Sequence, residues 1–219
     1  MDWLRFVVPL AFFVCSATDF LAIGSGNATA ESIVKPLLMP LLLCFYWLSA
    51  SAMGKKPDAF IVLALFCGFL GDTFLLGHGK AFLLGLASFL FGHIFYIIGF
   101  LRPLELRAVP PAVWLLALAY FAYSVIASRT LLPFVRGKEK LAVILYMVCL
   151  LTMSFSAMLR CGYARGNGFW LTFLGSLFFV ASDSMLALQL YRKAGRAFHI
   201  PVMVTYLLAQ SMIVYGVLL

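Results

Sequence analysis

The sequence predicts an all-α membrane protein, a bundle of about eight transmembrane helices forming a single domain over residues 1–219. First, 64% of the residues are hydrophobic and only 11% are charged, whereas soluble domains are about half apolar and about a quarter charged. Second, the 22 phenylalanines are spread over the whole chain. Third, apolar stretches of about 20 residues recur, and that length crosses a bilayer. A core of this size cannot hide so much apolar surface, so lipid is the expected solvent.

The predicted spans are separated by short turns rich in glycine, proline and basic residues. The first span follows Arg5 and has the outline of a signal peptide. It lacks a small-residue cleavage site and similar segments follow it, so it is predicted to be a transmembrane helix. No soluble domain fits between the spans. They cover residues 3–23, 33–52, 59–77, 81–101, 111–127, 141–159, 169–190 and 200–219.

The formal net charge of +8 comes from basic residues in small groups between the apolar stretches. This distribution excludes a nucleic-acid partner, which would need a basic stripe, and favours contact with anionic lipid head groups. The basic residues divide almost equally between the two predicted sides, so membrane orientation is left open, as is the oligomeric state. The five cysteines include no CxxC, and we expect small buried hydrophobes rather than disulfides or metal ligands. The three histidines lie on separate predicted elements, so neither a metal nor another cofactor is expected.

A short motif is found twice, once in the third span and once in the seventh. The sequence GDTFLL at 71–76 resembles SDSMLA at 182–187. The two copies are four helices apart, so both would run in the same direction across the membrane. The match is compatible with two parallel four-helix repeats. A bundle without duplication is the alternative.

Two aspartates lie where charges are unfavourable. Asp72 and Asp183 are each predicted well inside an apolar helix, about two-thirds of the way along it. A carboxylate in hydrocarbon costs at least ~2.5–3.5 kcal/mol, so such residues usually face a partner or a wet cavity. The structural alternative is an aspartate that only hydrogen-bonds a neighbouring helix, or a span that ends earlier. The other acidic residues fall in or near loops and helix ends: Asp2, Asp19, Glu31, Asp58, Glu105 and Glu139.

Further polar side chains are predicted at a similar depth, so we expect one pocket wall that contains both aspartates. Each has a structural alternative. The histidine could bond a backbone carbonyl, the lysine could snorkel or pair with Glu31, the tyrosines could pack, and the glutamine could join helices. The polar layer consists of Lys35, His93, Tyr96, Tyr146, Tyr206 and Gln210, with Ser182 beside Asp183.

Two carboxyl groups in one apolar site should titrate apart, one remaining protonated and the other ionised. Such a pair supplies an acid and a base for catalysis. It could equally carry a proton in a coupled transporter. The residues alone leave both functions open, whereas a purely structural role explains neither aspartate.

These residues, in this order, resemble the YhhN family of membrane proteins, whose characterised members are lysoplasmalogenases. The resemblance covers the second to eighth predicted helices. The matching pieces are Lys35-Pro36-Leu37, Gly71-Asp72-x-x-Leu75, Gly92-His93-x-x-Tyr96, Tyr146, Ser182-Asp183-x-x-Leu186-Ala187 and Thr205-Tyr206-x-x-x-Gln210.

The resemblance implies a membrane-embedded hydrolase that cleaves the vinyl ether bond of a lysoplasmalogen. The products would be a fatty aldehyde and glycerophosphoethanolamine or glycerophosphocholine. Asp72 is the preferred proton donor. Asp183 is the preferred ionised carboxylate that steadies the cation and directs water, because the serines that flank it favour its charged form. A proton-coupled transporter of a lipid or small solute is the alternative.

The implied partners are a lysolipid substrate and the lipids of the membrane, which would be the cell (inner) membrane if the source is bacterial. The polar layer and Ser182 would contact the substrate. Its phosphate is expected beside Lys35 or beside a loop arginine. The candidate arginines are Arg129, Arg136, Arg192 and Arg196.

Overall fold

The structure is a computed structural model that describes residues 3–77, 79–137, 139–192 and 198–219, and only the backbone of Arg5. In these residues the regular secondary structure is entirely helical, as predicted. Short 3-10 turns (Leu106–Ala108, Pro111–Leu115, Leu132–Phe134 and Arg160–Gly162) accompany the longer helices. The α-helices are α1 (Leu4–Ser25), α2 (Ala28–Ala52), α3 (Ala59–Leu75), α4 (Lys80–Leu101), α5 (Leu116–Leu131), α6 (Glu139–Leu159), α7 (Gly166–Arg192) and α8 (His199–Leu218).

The first turn of the chain is tighter than the sequence indicated. Gly26 ends α1 in the left-handed conformation, with φ of 71°, which glycine adopts without a steric penalty. The Asn27 side chain then accepts a hydrogen bond from the Ala30 amide at 3.1 Å. This cap starts α2 at Ala28, five residues before the predicted start of the second span.

The protein is a multi-pass integral membrane protein. Seven of its described helices are long and apolar enough to cross a membrane. They also expose large apolar side chains, such as Phe6 (78%), Phe13 (71%) and Leu21 (74%) on α1, which lipid accommodates and water does not.

Helix α3 is the shorter apolar helix, with 17 residues. Its length of about 26 Å is slightly less than the hydrocarbon thickness of about 30 Å. It ends at Leu75, two residues before the predicted end. Asp72 therefore lies in its last turn, not two-thirds of the way along. The prediction for Asp183 is confirmed, since it lies two-thirds of the way along α7.

The cysteines are free thiols. The expectation of burial is confirmed for Cys67, whereas Cys15, Cys149 and Cys161 are only half-buried. It is wrong for Cys44, which is exposed on α2. An apolar thiol on a membrane helix has no need of a protein core, because lipid takes its place.

The chain divides into two compact units, residues 1–99 with Leu218 and residues 100–217 with Leu219. In the first unit, α1 packs against α2, and α2 packs against α3. Helix α4 approaches α3 closely through glycine. A methyl group on Gly85 would lie 3.0 Å from the backbone nitrogen of Leu75. The parallel four-helix repeat remains a prediction.

In the second unit, a chain of hydroxyl groups joins α5, α6 and α7. Ser176 donates to the carbonyl of Phe173 at 2.6 Å, so it must accept from Ser154, which lies at 2.9 Å. Ser154 in turn accepts from Tyr120 at 2.8 Å. Every member thus has a partner away from water, which is the condition for polar groups inside a membrane bundle.

Helices α7 and α8 are in backbone contact. A methyl group on Gly175 would lie 2.9 Å from the carbonyl oxygen of Ala209, and one on Gly216 would clash with Thr172. In lipid the hydrophobic effect does not drive helices together, so they associate through van der Waals contacts, and small residues allow the close approach that these contacts need. This contact fixes the helix that carries Asp183.

Candidate active site

The second unit holds Asp183 in a defined hydrogen bond. The Tyr146 hydroxyl on α6 donates to Oδ2 of Asp183 on α7 at 2.6 Å. Both side chains are partly exposed rather than sealed in the core. The sequence predicted their similar depth, and the structure adds the direct contact. A short bond of this kind fixes the position of one carboxylate oxygen.

A second tyrosine reaches the residue that follows Asp183. Ser184 donates to the carbonyl of Val180 at 2.5 Å, so the Tyr123 hydroxyl, at 2.6 Å, must donate to Ser184. Sequence analysis missed Tyr123. The available signal was its spacing of three residues from Tyr120, which places both hydroxyl groups on one face of α5.

Three further predicted residues lie at the contact between α7 and α8. Ser182 is buried and donates to the backbone carbonyl of Val202 at 3.0 Å. Tyr206 is buried and packs edge-to-face on Phe179, with 5.6 Å between ring centres. Gln210 lies one turn further along α8 and is 1% exposed. The bond from Ser182 to Val202 is of the kind that holds helices together, and the neighbouring Asp183 faces α6.

In the first unit, Asp72 is buried, with 2% of its surface exposed. Its neighbour Gly71 packs closely against α4, because a methyl group there would lie 2.6 Å from the Phe89 ring. His93 and Tyr96 are each 1% exposed and lie on α4. Asp72 thus occupies the last turn of α3, and two buried polar side chains lie on the next helix.

Lys35 forms the ion pair that was its structural alternative. Its ammonium lies 3.9 Å from a carboxylate oxygen of Glu31, one turn earlier on α2. The two side chains are 14% and 21% exposed. The distance of 3.9 Å is longer than a hydrogen bond, so the contact between the two charges is loose. Such a weak pair leaves Lys35 available to another anion.

A second buried carboxyl group was misplaced by sequence analysis, which put Asp19 near a helix end. Helix α1 continues to Ser25, and Asp19 is 0% exposed within it. Among the described residues, neither of its carboxylate oxygens has a hydrogen-bond partner. It interacts electrostatically with Lys35 and Glu31. The described part of the chain contains no cluster of three or more His, Cys, Asp or Glu residues that could hold a metal ion.

Comparisons with known proteins place the chain in a family. Residues 30–217 match the YhhN family. The chain is 31% identical over 204 residues to the lysoplasmalogenase TMEM86B of Sus scrofa, which covers 92% of this chain and 82% of that relative. No solved structure matches the chain significantly. The match over most of the chain, from α2 to α8, shows that the protein belongs to the YhhN family.

Proposed function

We propose that this protein is a lysoplasmalogenase, an ether hydrolase that works inside the membrane. The substrate would be a single-chain lysolipid, and the products a fatty aldehyde and glycerophosphoethanolamine or glycerophosphocholine. The observation that carries the proposal is Asp183 held by Tyr146 at 2.6 Å within membrane-crossing helices. Family membership and the name of the porcine relative support the reaction class.

The chemistry requires a positioned acid. A vinyl ether is hydrolysed by protonation of its β-carbon, which converts the α-carbon and the ether oxygen into an oxocarbenium ion. Water then adds to the α-carbon and loses a proton to a base. The resulting hemiacetal collapses to the aldehyde and the free glycerol hydroxyl. One water molecule is consumed, and the acid recovers its proton from the base.

Within this scheme we assign the acid to Asp72 and the stabilising carboxylate to Asp183. Asp72 is buried, with 2% of its surface exposed, and an acid shielded from water delivers its proton to the substrate rather than to solvent. Asp183 accepts a hydrogen bond from Tyr146, which suits a group that remains ionised beside a developing cation.

The remaining predicted residues are proposed to shape the substrate path. Inside the bundle, water competes little for a hydrogen bond to a bound lipid. Five of these residues are buried: His93, Tyr96, Ser182, Tyr206 and Gln210. The hydrocarbon tail of the lysolipid needs no polar contact and would remain in an apolar environment. The proposed contacts are Lys35, His93, Tyr96, Tyr146, Ser182, Tyr206 and Gln210.

A proton-coupled transporter of a lipid or small solute is the second candidate. The observation in its favour is Asp19, a fully buried carboxyl group whose oxygens have no hydrogen-bond partner among the described residues. A buried acid inside a membrane helix is typical of proton pathways. The scheme for hydrolysis gives this residue no role.

Aldehyde release from purified protein distinguishes the two functions. The protein in detergent receives a lysoplasmalogen in one sample and the matching 1-acyl lysophospholipid in another. The hydrolase should release aldehyde from the first and leave the ester of the second intact. A protein that binds both lipids, releases no aldehyde and moves protons when reconstituted in vesicles would be the transporter.

A further inference from the structure

A surface cleft lies beside the C-terminal end of α7, in the second unit. Its volume is about 560 Å³. Its floor and walls come from the 3-10 turn after α5, from the segment that follows this turn, and from the last residues of α7. The lining residues are Pro133, Phe134, Arg136, Leu190, Tyr191 and Arg192.

Two exposed arginines give the cleft its chemistry. No carboxylate in the described part of the chain lies within ion-pair distance of Arg136 or Arg192. The Arg192 guanidinium lies over the Phe134 ring, 5.2 Å from its centre. This stacking holds the guanidinium in place with its N–H edges free to donate. A pair of guanidinium groups at one cleft matches the oxygens of a phosphate.

The helix faces connect this cleft to Asp183. Leu190 lines the cleft and lies seven residues after Asp183 on α7, two turns away on the same face. On α6, Glu139 lies seven residues before Tyr146, again two turns away on one face. Glu139 also interacts electrostatically with Tyr191 of the cleft. The adjoining faces of α6 and α7 thus run roughly 11 Å from the cleft to the bond between Tyr146 and Asp183.

We propose that this cleft binds the phosphate of the lysolipid head group through Arg136 and Arg192. The inference rests on the proposed function, because it assigns the head group of the same substrate. In a lysoplasmalogen the glycerol backbone separates the phosphate from the vinyl ether, and the long arginine side chains shorten the remaining distance. The nearby negative charge of Glu139 suits a head group that also carries an amine. Of the other predicted arginines, Arg129 does not line the cleft and Arg196 lies outside the described residues.

The test uses the variants Arg136→Gln, Arg192→Gln and their double. Arg165→Gln is the matched control, because this exposed arginine precedes α7 at its other end. For the lysoplasmalogen, the double variant should raise KM at least about tenfold, the scale of a lost charged hydrogen bond, with kcat nearly unchanged. For a 1-alkenylglycerol, which has the same vinyl ether but no phosphate, KM should not change. Arg192→Lys should retain part of the affinity.

A binding measurement keeps the site separate from the reaction. The ligand is a saturated alkyl ether lysolipid, which has the phosphate but no vinyl ether to hydrolyse. Its Kd should rise at least about tenfold in the double variant and remain unchanged in Arg165→Gln. Equal Kd in the double variant and the wild type would overturn the site. A wild type that binds this ligand at the cleft but releases no aldehyde would contradict the hydrolase and leave the site standing.

Competition distinguishes a lipid head group from free phosphate. Glycerophosphoethanolamine should displace the alkyl ether lysolipid from the wild type at lower concentration than inorganic phosphate does. The difference should vanish in the double variant. Equal displacement by both compounds would identify a general anion site and overturn the head-group assignment.

Discussion

Tyr146 on α6 holds Asp183 on α7 through a hydrogen bond of 2.6 Å from its hydroxyl to Oδ2. The backbone of α7 is itself fixed by its close contact with α8 at Gly175. Helix α6 therefore fixes the position of the carboxylate, and α8 fixes the position of the helix that carries it. A reaction that passes through an oxocarbenium ion benefits from this arrangement, because a preorganised charge needs no rearrangement as the cation forms.

Replacing Tyr146 by Phe tests this bond. The ring remains and only the donor to Asp183 is lost, so the fold should persist. A hydrogen bond to a charged group is worth about 1.5–3 kcal/mol, so kcat should fall at least about tenfold, with little change in KM. In Tyr123→Phe, which loses a bond to Ser184 instead, kcat should fall less. The rate of aldehyde release gives both values, and equal loss in the two variants would show that Asp183 is not the point of action.

The second prediction concerns Asp72 and Asp183 as a working pair. Either Asp→Asn change preserves the side-chain shape and should lower kcat by at least ~10²-fold, the scale of a lost acid or base. In the double variant, kcat should be little lower than in the worse single variant, because the effects of residues that act in one step are not additive. Single-turnover aldehyde release measures the chemical step.

Asp58→Asn is the control for this pair. Asp58 caps α3 by accepting from the Phe60 amide at 2.8 Å, and asparagine caps equally well. Its turnover should match the wild type. Wild-type turnover in both single variants of the pair would exclude the acid–base mechanism. Loss in one variant alone would assign the whole of the chemistry to a single carboxyl group.

The third prediction concerns the contact that holds α7. Gly216→Ala places a methyl group against Thr172 on the facing helix, and overpacking of this kind costs about 1–3 kcal/mol. The Tm should fall by several degrees, since about 1 kcal/mol corresponds to roughly 2–4 °C in a chain of this size. Gly24→Ala, where a methyl group meets nothing within 4 Å, should not lower the Tm. An unchanged Tm in Gly216→Ala would mean that α8 moves away at no cost.

Much of the fold could be predicted from the sequence because a membrane helix has a defining length. An apolar run of about 20 residues indicates a span, and the described helices follow the predicted ones closely. The exceptions have local causes. Asn27 caps α2 earlier than hydropathy indicates, and α3 ends at Leu75, so Asp72 lies in a last turn.

The site was harder to predict because a sequence gives depth along a helix but not the direction that a side chain faces. The predicted depths placed Tyr146 and Asp183 at one level of the membrane. Their direct contact depends on how α6 and α7 pack, which the sequence does not give. The same limit hid Tyr123, whose partner Ser184 lies on another helix. Position within the predicted span also misled for Asp19, since its burial comes from the packing of α1 against α2.

The last prediction concerns this third carboxyl group. Asp19 is fully buried, and neither oxygen has a hydrogen-bond partner among the described residues. Burying an unsatisfied polar group costs about 1–3 kcal/mol. Asp19→Leu removes that cost and keeps a similar volume. Lys35 retains its pair with Glu31 at 3.9 Å, so no new unpaired charge is created.

The variant Asp19→Leu should therefore raise the Tm by a few degrees in a thermal unfolding measurement, while aldehyde release remains within about twofold of the wild type. Ser16→Ala, one turn earlier on α1, removes only a bond to the Phe12 carbonyl and should leave the Tm nearly unchanged. A lower Tm in Asp19→Leu would show that the attraction between Asp19 and Lys35 outweighs the cost of burial. Loss of proton-coupled flux with a stable fold would instead give Asp19 the role that a transporter requires, because a buried acid in a membrane helix can carry a proton.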